Sequence, residues 1–276
     1  MNKIFKRFCS TVSSPQLKGK RFEGNLSSIY GLYLNHPQSR NSMTKEFMRL
    51  FNESIEYITN SKDIRLVILM SSTPGFFCSG ANLKERATFT EQETRKFVSD
   101  ARDSFHKFSL LKVPTICGID GYAFGGGLEL AMACDIRIAT KNALFSLTEC
   151  GLGIIPGAGG TQRLPRLVGA NKAKELMFTC EKLSGENSLN LGIINHLVEK
   201  YENLEEKAVE LGKKIIKCGP IAIEAVKRAI DDGIHLDLKS ALEIEKLNYE
   251  KVLNTEDRLE GIKAFLEKRE PQFKGK

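Results

Sequence analysis

Nowhere in its 276 residues does the chain string together the roughly 18–20 apolar residues that a membrane-spanning helix requires. No membrane role is therefore expected. With 41% hydrophobic and 27% charged residues, the composition is that of a soluble globular protein with enough chain for a large core. Cysteine is present but unorganised. Cys9, Cys78, Cys117, Cys134, Cys150, Cys180 and Cys218 are odd in number and form no CxxC pair. That excludes a disulfide framework or a zinc-finger-type centre and leaves reduced, mostly buried small hydrophobes. His36, His106, His196 and His235 are equally scattered, and HExxH is missing, so no metal site is expected. Also missing are GxGxxG and GxxxxGK[ST], which argues against a nucleotide-phosphate cradle, and GxSxG, which leaves a serine nucleophile without support.

Acidic residues are lacking before Glu23. The opening MNKIFKRFCSTVSS sets Lys3, Lys6 and Arg7 among Ile4, Phe5 and Phe8 and then turns to Ser and Thr. This basic, acid-poor, amphipathic pattern has too short an apolar part for a secretory signal. Residues 1–14 are expected to be a transit peptide for the mitochondrial matrix, and losing its three cations would leave +4 of the formal +7.

What is present is an alternation of strand and helix signals. SSIYGLYLN (27–35) alternates like a strand, and RLVILMSS (65–72), PTICGID (114–120) and ALFSL (143–147) are short apolar runs suited to buried strands. TKEFMRLFNESIEYITN (44–60) places Phe47, Leu50, Phe51, Ile55 and Ile58 at helical spacing behind Thr44 as N-cap. A second helix is expected over about 90–111. From about 201 the texture becomes helical and charged, and NTEDRLEGIKAFLEKRE carries a capping Asn254 or Thr255. The alternation predicts an α/β layer structure, with residues 20–200 as its core and 201–276 as a helical C-terminal region.

Three glycine-rich stretches carry the chemistry. In GYAFGGGLELAMACD, three glycines precede Glu129 inside an apolar helix-forming segment. A glycine turn at a helix start leaves backbone N–H groups aimed into open space at the positive end of the helix dipole, where an oxyanion can bind. PGFFCSGANLKER (74–86) offers a second such turn near Gly80 and Ala81, and SLTECGLGIIPGAGGTQRLP (146–165) places Glu149 before a glycine-rich loop. Two acids in apolar, glycine-rich surroundings suit a proton-transfer pair. Spacing alone leaves open that the glycines are plain tight turns and Glu129 a dipole complement.

IDGYAFGGGLELAMACDIRIAT, FSLTECGLGIIPGAGGTQRLPRLVG, GFFCSGANLKE and the tail TEDRLEGIKAFLEKREPQFKGK together resemble the enoyl-CoA hydratase/isomerase (crotonase) family over residues 20–276. The resemblance implies a spiral of ββα repeats with C-terminal helices that assemble trimers, often paired into hexamers. It implies an acyl-CoA thioester as substrate, with CoA part of that substrate and no separate cofactor. The thioester oxygen would be held by the backbone N–H groups of Ala81 and Gly126. Glu129 would activate water at Cβ and Glu149 would protonate Cα, because hydration needs two acid–base groups where isomerisation can use one. Lys84, Asn82, Leu83, Phe273 and Lys274 fall where the family approaches CoA. Asn82 departs from the family's usual Asp, which removes a charge but leaves the Ala81 amide in place. The implied reaction is hydration of a short or branched 2-enoyl-CoA, with 3-methylglutaconyl-CoA of leucine breakdown favoured. General short-chain enoyl-CoA hydration in fatty-acid oxidation and enoyl isomerisation are the alternatives.

A methylglutaconyl tail ends in a carboxylate, for which Arg86 and Arg95 are the basic candidates. Phe89, Phe97 and Phe124 are candidates for an apolar tunnel. A family member binds AU-rich RNA through a lysine-rich helix. Here residues 40–65 oppose Arg40, Lys45, Arg49, Lys62 and Arg65 to Glu46, Glu53, Glu56 and Asp63, a weak footprint for phosphate.

Overall fold

The computed structural model describes Ser14 and residues 16–276, so the expected transit segment lies outside the described residues except for Ser14. The apolar runs become strands because both their faces are covered. β1 (Leu17–Arg21), β2 (Ile29–Leu34), β3 (Leu66–Ser71), β5 (Thr115–Ile119), β7 (Ile136–Thr140) and β10 (His196–Val198) form a six-stranded sheet in the order β1-β2-β3-β5-β7-β10. Every residue of β2, β3 and β5 is buried, as continuous apolar strands of a parallel sheet require. Only β1 runs antiparallel, pairing Leu17 with Leu34 and Arg21 with Tyr30 along the sheet edge.

A smaller sheet, in the order β4-β6-β8-β9, is built from β4 (Phe76–Cys78), β6 (Tyr122–Phe124), β8 (Leu144–Ser146) and β9 (Leu183–Ser184). The strands β3, β5 and β7 each turn directly into a short strand of this second sheet, and helical structure follows. That repetition is the ββα spiral. Asp120 ties its corners together: one carboxylate oxygen accepts from Gly75 N–H at 2.6 Å and the other from the Thr140 hydroxyl at 2.6 Å. One buried acid thereby joins the β3–β4 turn, the β5–β6 turn and the end of β7.

The helix α1 (Lys45–Asn60) starts where expected, with Thr44 Oγ1 accepting from Phe47 N–H. The helices α2 (Leu83–Arg86) and α3 (Glu91–Ser109) follow β4, and α3 opens on a full capping box between Thr90 and Glu93. Phe51 of α1 meets Phe105 edge-on at 6.0 Å and Phe108 at 5.1 Å, which fixes α3 on α1. The helix α4 (Gly126–Met132) follows β6. After β8 come a 3-10 turn (Glu149–Leu152), α5 (Gly160–Val168), α6 (Ala170–Thr179) and α7 (Gly185–Asn190). Part of the glycine-rich loop expected after Glu149 in SLTECGLGIIPGAGGTQRLP (146–165) is helix, α5. The glycine run ends in a helix that carries Pro165 within it, its first amide, Gly160 N–H, bonded to Glu129.

The chain divides into two compact units. The first spans the described residues up to Leu111 together with Thr115–Val209, and the second comprises Lys112–Pro114 and Glu210–Lys276. The chain passes from one to the other along α8 (Glu202–Ile216). The second unit contains α9 (Pro220–Gly233), α10 (Leu238–Leu253) and α11 (Glu256–Leu266), the last capped by Thr255. Its C-terminal tail is held by the buried Asp257, whose carboxylate accepts from the backbone N–H groups of Lys274 and Gly275.

Candidate active site

All of the site described here lies within the first unit. The turn after β6 carries Gly125 at φ +50°, a conformation that side chains disfavour, and Gly126 then opens α4. As the first helical residue, Gly126 has an N–H with no partner inside its own helix. The turn after β4 carries Gly80 at φ +86°, and a Cβ there would lie 2.8 Å from Phe124 O and 3.3 Å from Gly126 N. Gly80 thus permits the two glycine turns to touch.

Ala81 pairs with Met43 as an isolated parallel bridge, in which Met43 N–H bonds Gly80 O and Asn82 N–H bonds Met43 O. In that pattern the neighbouring peptides face Met43, and Ala81's own N–H points the other way. Among the described residues it meets no acceptor, and both Ala81 and Gly126 line a cavity of about 810 Å³. Two adjacent loops therefore present two backbone donors to one space.

Glu129, on the first turn of α4, is 2% exposed. Its Oε1 accepts from Ala158 N–H at 2.8 Å and from Gly160 N–H at 2.7 Å. Burial raises the proton affinity of this carboxyl. The Gly160 and Ala158 amides, and the charges of Arg163 and Arg102, oppose the rise. Glu149, at the start of the 3-10 turn after β8, presses its Oε1 against Gly125, where an added Cβ would come within 2.9 Å. Its Oε2 is buried and has no hydrogen-bond partner among the described residues. Burial first, and then the neighbouring Glu129 charge, push Glu149 up to about 7, against the pull of its own backbone amide and of Arg86. Glu129 thus has two backbone donors on one oxygen that oppose its upward shift, and Glu149, with none on Oε2, is held near neutrality.

The remaining wall comes mainly from α3 and the loop before α5: Phe97, Val98, Ala101, Phe105, Ile154 and Ile155 are all apolar. Of the residues expected from sequence, Glu129, Glu149, Ala81, Gly126 and Leu83 meet at this cavity. Asn82 caps α2, accepting from Glu85 N–H at 3.1 Å and donating to Ser42 Oγ. Lys84 is exposed on the same helix and is not part of the wall. Phe273 and Lys274 belong to the second unit, where the Phe273 ring packs against Gly219 and Gly261.

Of the tunnel candidates, Phe97 lines the cavity and Phe89 packs on Phe97. Phe124 lies outside the wall, beside Tyr122. Arg86 lines the cavity, whereas Arg95 pairs with Glu91 on the exposed side of α3. Sequence reasoning missed Arg102 and the Ala158 and Gly160 amides. The signal for the amides was the run PGAGG ahead of a helix, the same glycine-before-helix pattern that marked Gly126.

Residues 24–276 match the enoyl-CoA hydratase/isomerase family. The chain is 45% identical over 265 residues to the probable enoyl-CoA hydratase 2, mitochondrial, of Arabidopsis thaliana, covering 96% of this chain and 88% of that protein. It is 41% identical over 263 residues to the mitochondrial methylglutaconyl-CoA hydratase of Homo sapiens, covering 94% of this chain and 78% of that protein. The crystal structure of an enoyl-CoA hydratase from Bacillus anthracis superposes with a TM-score of 0.88 at 40% identity, covering 98% of this chain and all of that one. A ββα spiral that brings two glycine-turn amides, the buried Glu129 and the half-buried Glu149 to one cavity, matched over nearly its whole length by these relatives, makes the chain an enzyme belonging to the enoyl-CoA hydratase/isomerase family.

Proposed function

We propose that the enzyme adds water across the 2,3 double bond of a short or branched 2-enoyl-CoA thioester, with 3-methylglutaconyl-CoA of leucine degradation as its preferred substrate. The observation that carries this reading is the convergence of Glu129 and Glu149 on the cavity that Ala81 and Gly126 line with backbone donors. The thioester oxygen sits between the two amides. Glu129, held through Oε1 and acting as a carboxylate, takes a proton from water through its other oxygen while the water oxygen bonds to Cβ. The π electrons shift toward the thioester and leave an enolate whose oxyanion the two N–H groups stabilise. Glu149, carrying its proton, then protonates Cα, and solvent returns the proton from Glu129 to Glu149. Each acid–base partner is expected to contribute roughly 10²–10⁴-fold.

The preference for a methylglutaconyl thioester draws support from relatives named as methylglutaconyl-CoA hydratases at 41% identity. The mitochondrial names of those relatives, with the basic opening segment, support a matrix location. Contacts to CoA from Lys84, Asn82, Leu83, Phe273 and Lys274 belong to the same proposal. So does assembly into trimers or hexamers, which the apolar residues exposed on the second unit (Leu238, Phe265 and Leu266 among them) support. RNA binding through residues 40–65 has less in its favour, since Arg49 sits between Glu46 and Glu53 and Lys45 pairs with Glu93. The test is identification of the product from 3-methylglutaconyl-CoA. A 3-hydroxy thioester supports hydration, and a shifted double bond without added water would make the enzyme an isomerase.

A further inference from the structure

We propose that Arg86 is the specificity-determining residue of this site, its guanidinium pairing with a carboxylate at the far end of the acyl chain, so that the enzyme selects dicarboxylic 2-enoyl thioesters. The inference rests on the hydratase reading above and deepens it.

Among the described residues, four charged side chains line the cavity: Glu129, Glu149, Arg86 and Arg102. Both glutamates have tasks at the double bond. Arg102 is exposed, and its Nε is spent on Gly157 O at 2.9 Å, which steadies the loop before α5. Arg86 differs. It ends the short helix α2 directly after the turn that supplies the Ala81 amide, and it is half-buried. Among the described residues its guanidinium has neither ion pair nor hydrogen-bond acceptor, although most of this chain's surface arginines, Arg49, Arg95 and Arg269 among them, do. The cavity wall is largely apolar, so a guanidinium that lines it without an ion pair or hydrogen-bond acceptor among the described residues is matched to an anion that arrives with the ligand. The Arg86 charge also lowers the proton affinity of Glu149, which lines the same cavity. In a 3-methylglutaconyl chain the carboxylate lies one methylene beyond Cβ, within reach of a side chain as long as arginine's.

The same anion chemistry could come from the CoA phosphates, and the experiment separates the two sources. Arg86→Gln and Arg86→Lys are compared with wild type on 3-methylglutaconyl-CoA and crotonyl-CoA, which share CoA and differ in the carboxylate. Binding without turnover is read from inhibition by glutaryl-CoA and butyryl-CoA. Losing a hydrogen-bonded charge pair should cut the methylglutaconyl-to-crotonyl ratio of kcat/KM by roughly 10- to 100-fold in Arg86→Gln, mostly through KM, with part of the ratio restored in Arg86→Lys. The glutaryl-to-butyryl ratio of inhibition should fall in parallel. If both thioesters weaken equally, Arg86 serves CoA or the fold, and the proposal is overturned; if neither ratio changes, it is overturned as well. Failure of the hydratase reading itself looks different, because wild type would then hydrate neither thioester.

Discussion

Gly160 donates its backbone N–H to Glu129 Oε1 at 2.7 Å, so the first residue of α5 holds the carboxylate carried by α4. Ala158 N–H reaches the same oxygen at 2.8 Å. The two donors stabilise the charged form of an acid whose proton affinity burial raises, and both act on one of its two oxygens. Replacing Glu129 by Gln keeps a carbonyl oxygen for both amides. Glu129→Gln is therefore expected to fold with a melting temperature close to wild type while kcat falls roughly 10²- to 10⁴-fold. A calorimetric scan beside the hydration assay checks both halves, and a large drop in melting temperature would show that the cradle serves folding instead.

Glu149 differs in kind, and its difference is visible in pH. Burial and the Glu129 charge push it up to about 7, and in the proposed mechanism it acts in the protonated form. Activity should fall as pH rises through about 7, once Glu149 loses the proton it must give to Cα. In the kcat/KM profile of the free enzyme, a descending limb near neutrality is the expected result. A rate still rising between pH 6 and 8 would mean that Glu149 is not the acid.

The same shift carries a stability consequence. An acid whose folded proton affinity is raised favours folding below the ordinary carboxylate range, and that contribution is lost as pH climbs through about 7. Allowing for the partial exposure of Glu149, the loss is roughly 2–3 kcal/mol between pH 4.5 and 7.5. Glu149→Gln removes the titration, so the variant should be more stable than wild type at pH 7.5 and nearly equal at pH 4.5. Chemical denaturation at the two pH values measures it.

Asn82 acts on the site through the backbone. Its side chain caps α2 by accepting from Glu85 N–H, and its own N–H bonds Met43 O in the bridge that turns the Ala81 amide outward. Asp can make the same cap, so Asn82→Asp is expected to stay within a few-fold of wild-type activity. Asn82→Ala should lose about 1 kcal/mol of stability with the cap and lower kcat through a loosened turn. Thermal melts and hydration rates of the two variants check this.

In the large sheet β2, β3 and β5 were legible as short runs closed by turn residues, RLVILMSS (65–72) containing β3 (Leu66–Ser71) with every strand residue buried, whereas β1, β7 and β10 were not read from the sequence. The helix 44–60 was legible from its apolar stripe and Thr44. The α5 helix was not, since glycines before a helix look like loop until the carboxylate they serve is in view. Glu129 and Glu149 stood out as acids among apolar neighbours. Arg86 and Arg95, equally basic and nine positions apart, could not be told apart by composition. The fold separates them by turning Arg86 to the cavity and placing Arg95 on a solvent-facing stripe with Glu91.

The most direct measurement is the hydration rate of 3-methylglutaconyl-CoA and crotonyl-CoA, side by side, by wild type, Glu129→Gln and Glu149→Gln. The expected result is a clear wild-type preference for the methylglutaconyl thioester and a loss of at least roughly 100-fold on both thioesters in either variant. Full hydration by either variant, or no hydration of either thioester by wild type, would contradict the two-carboxylate account.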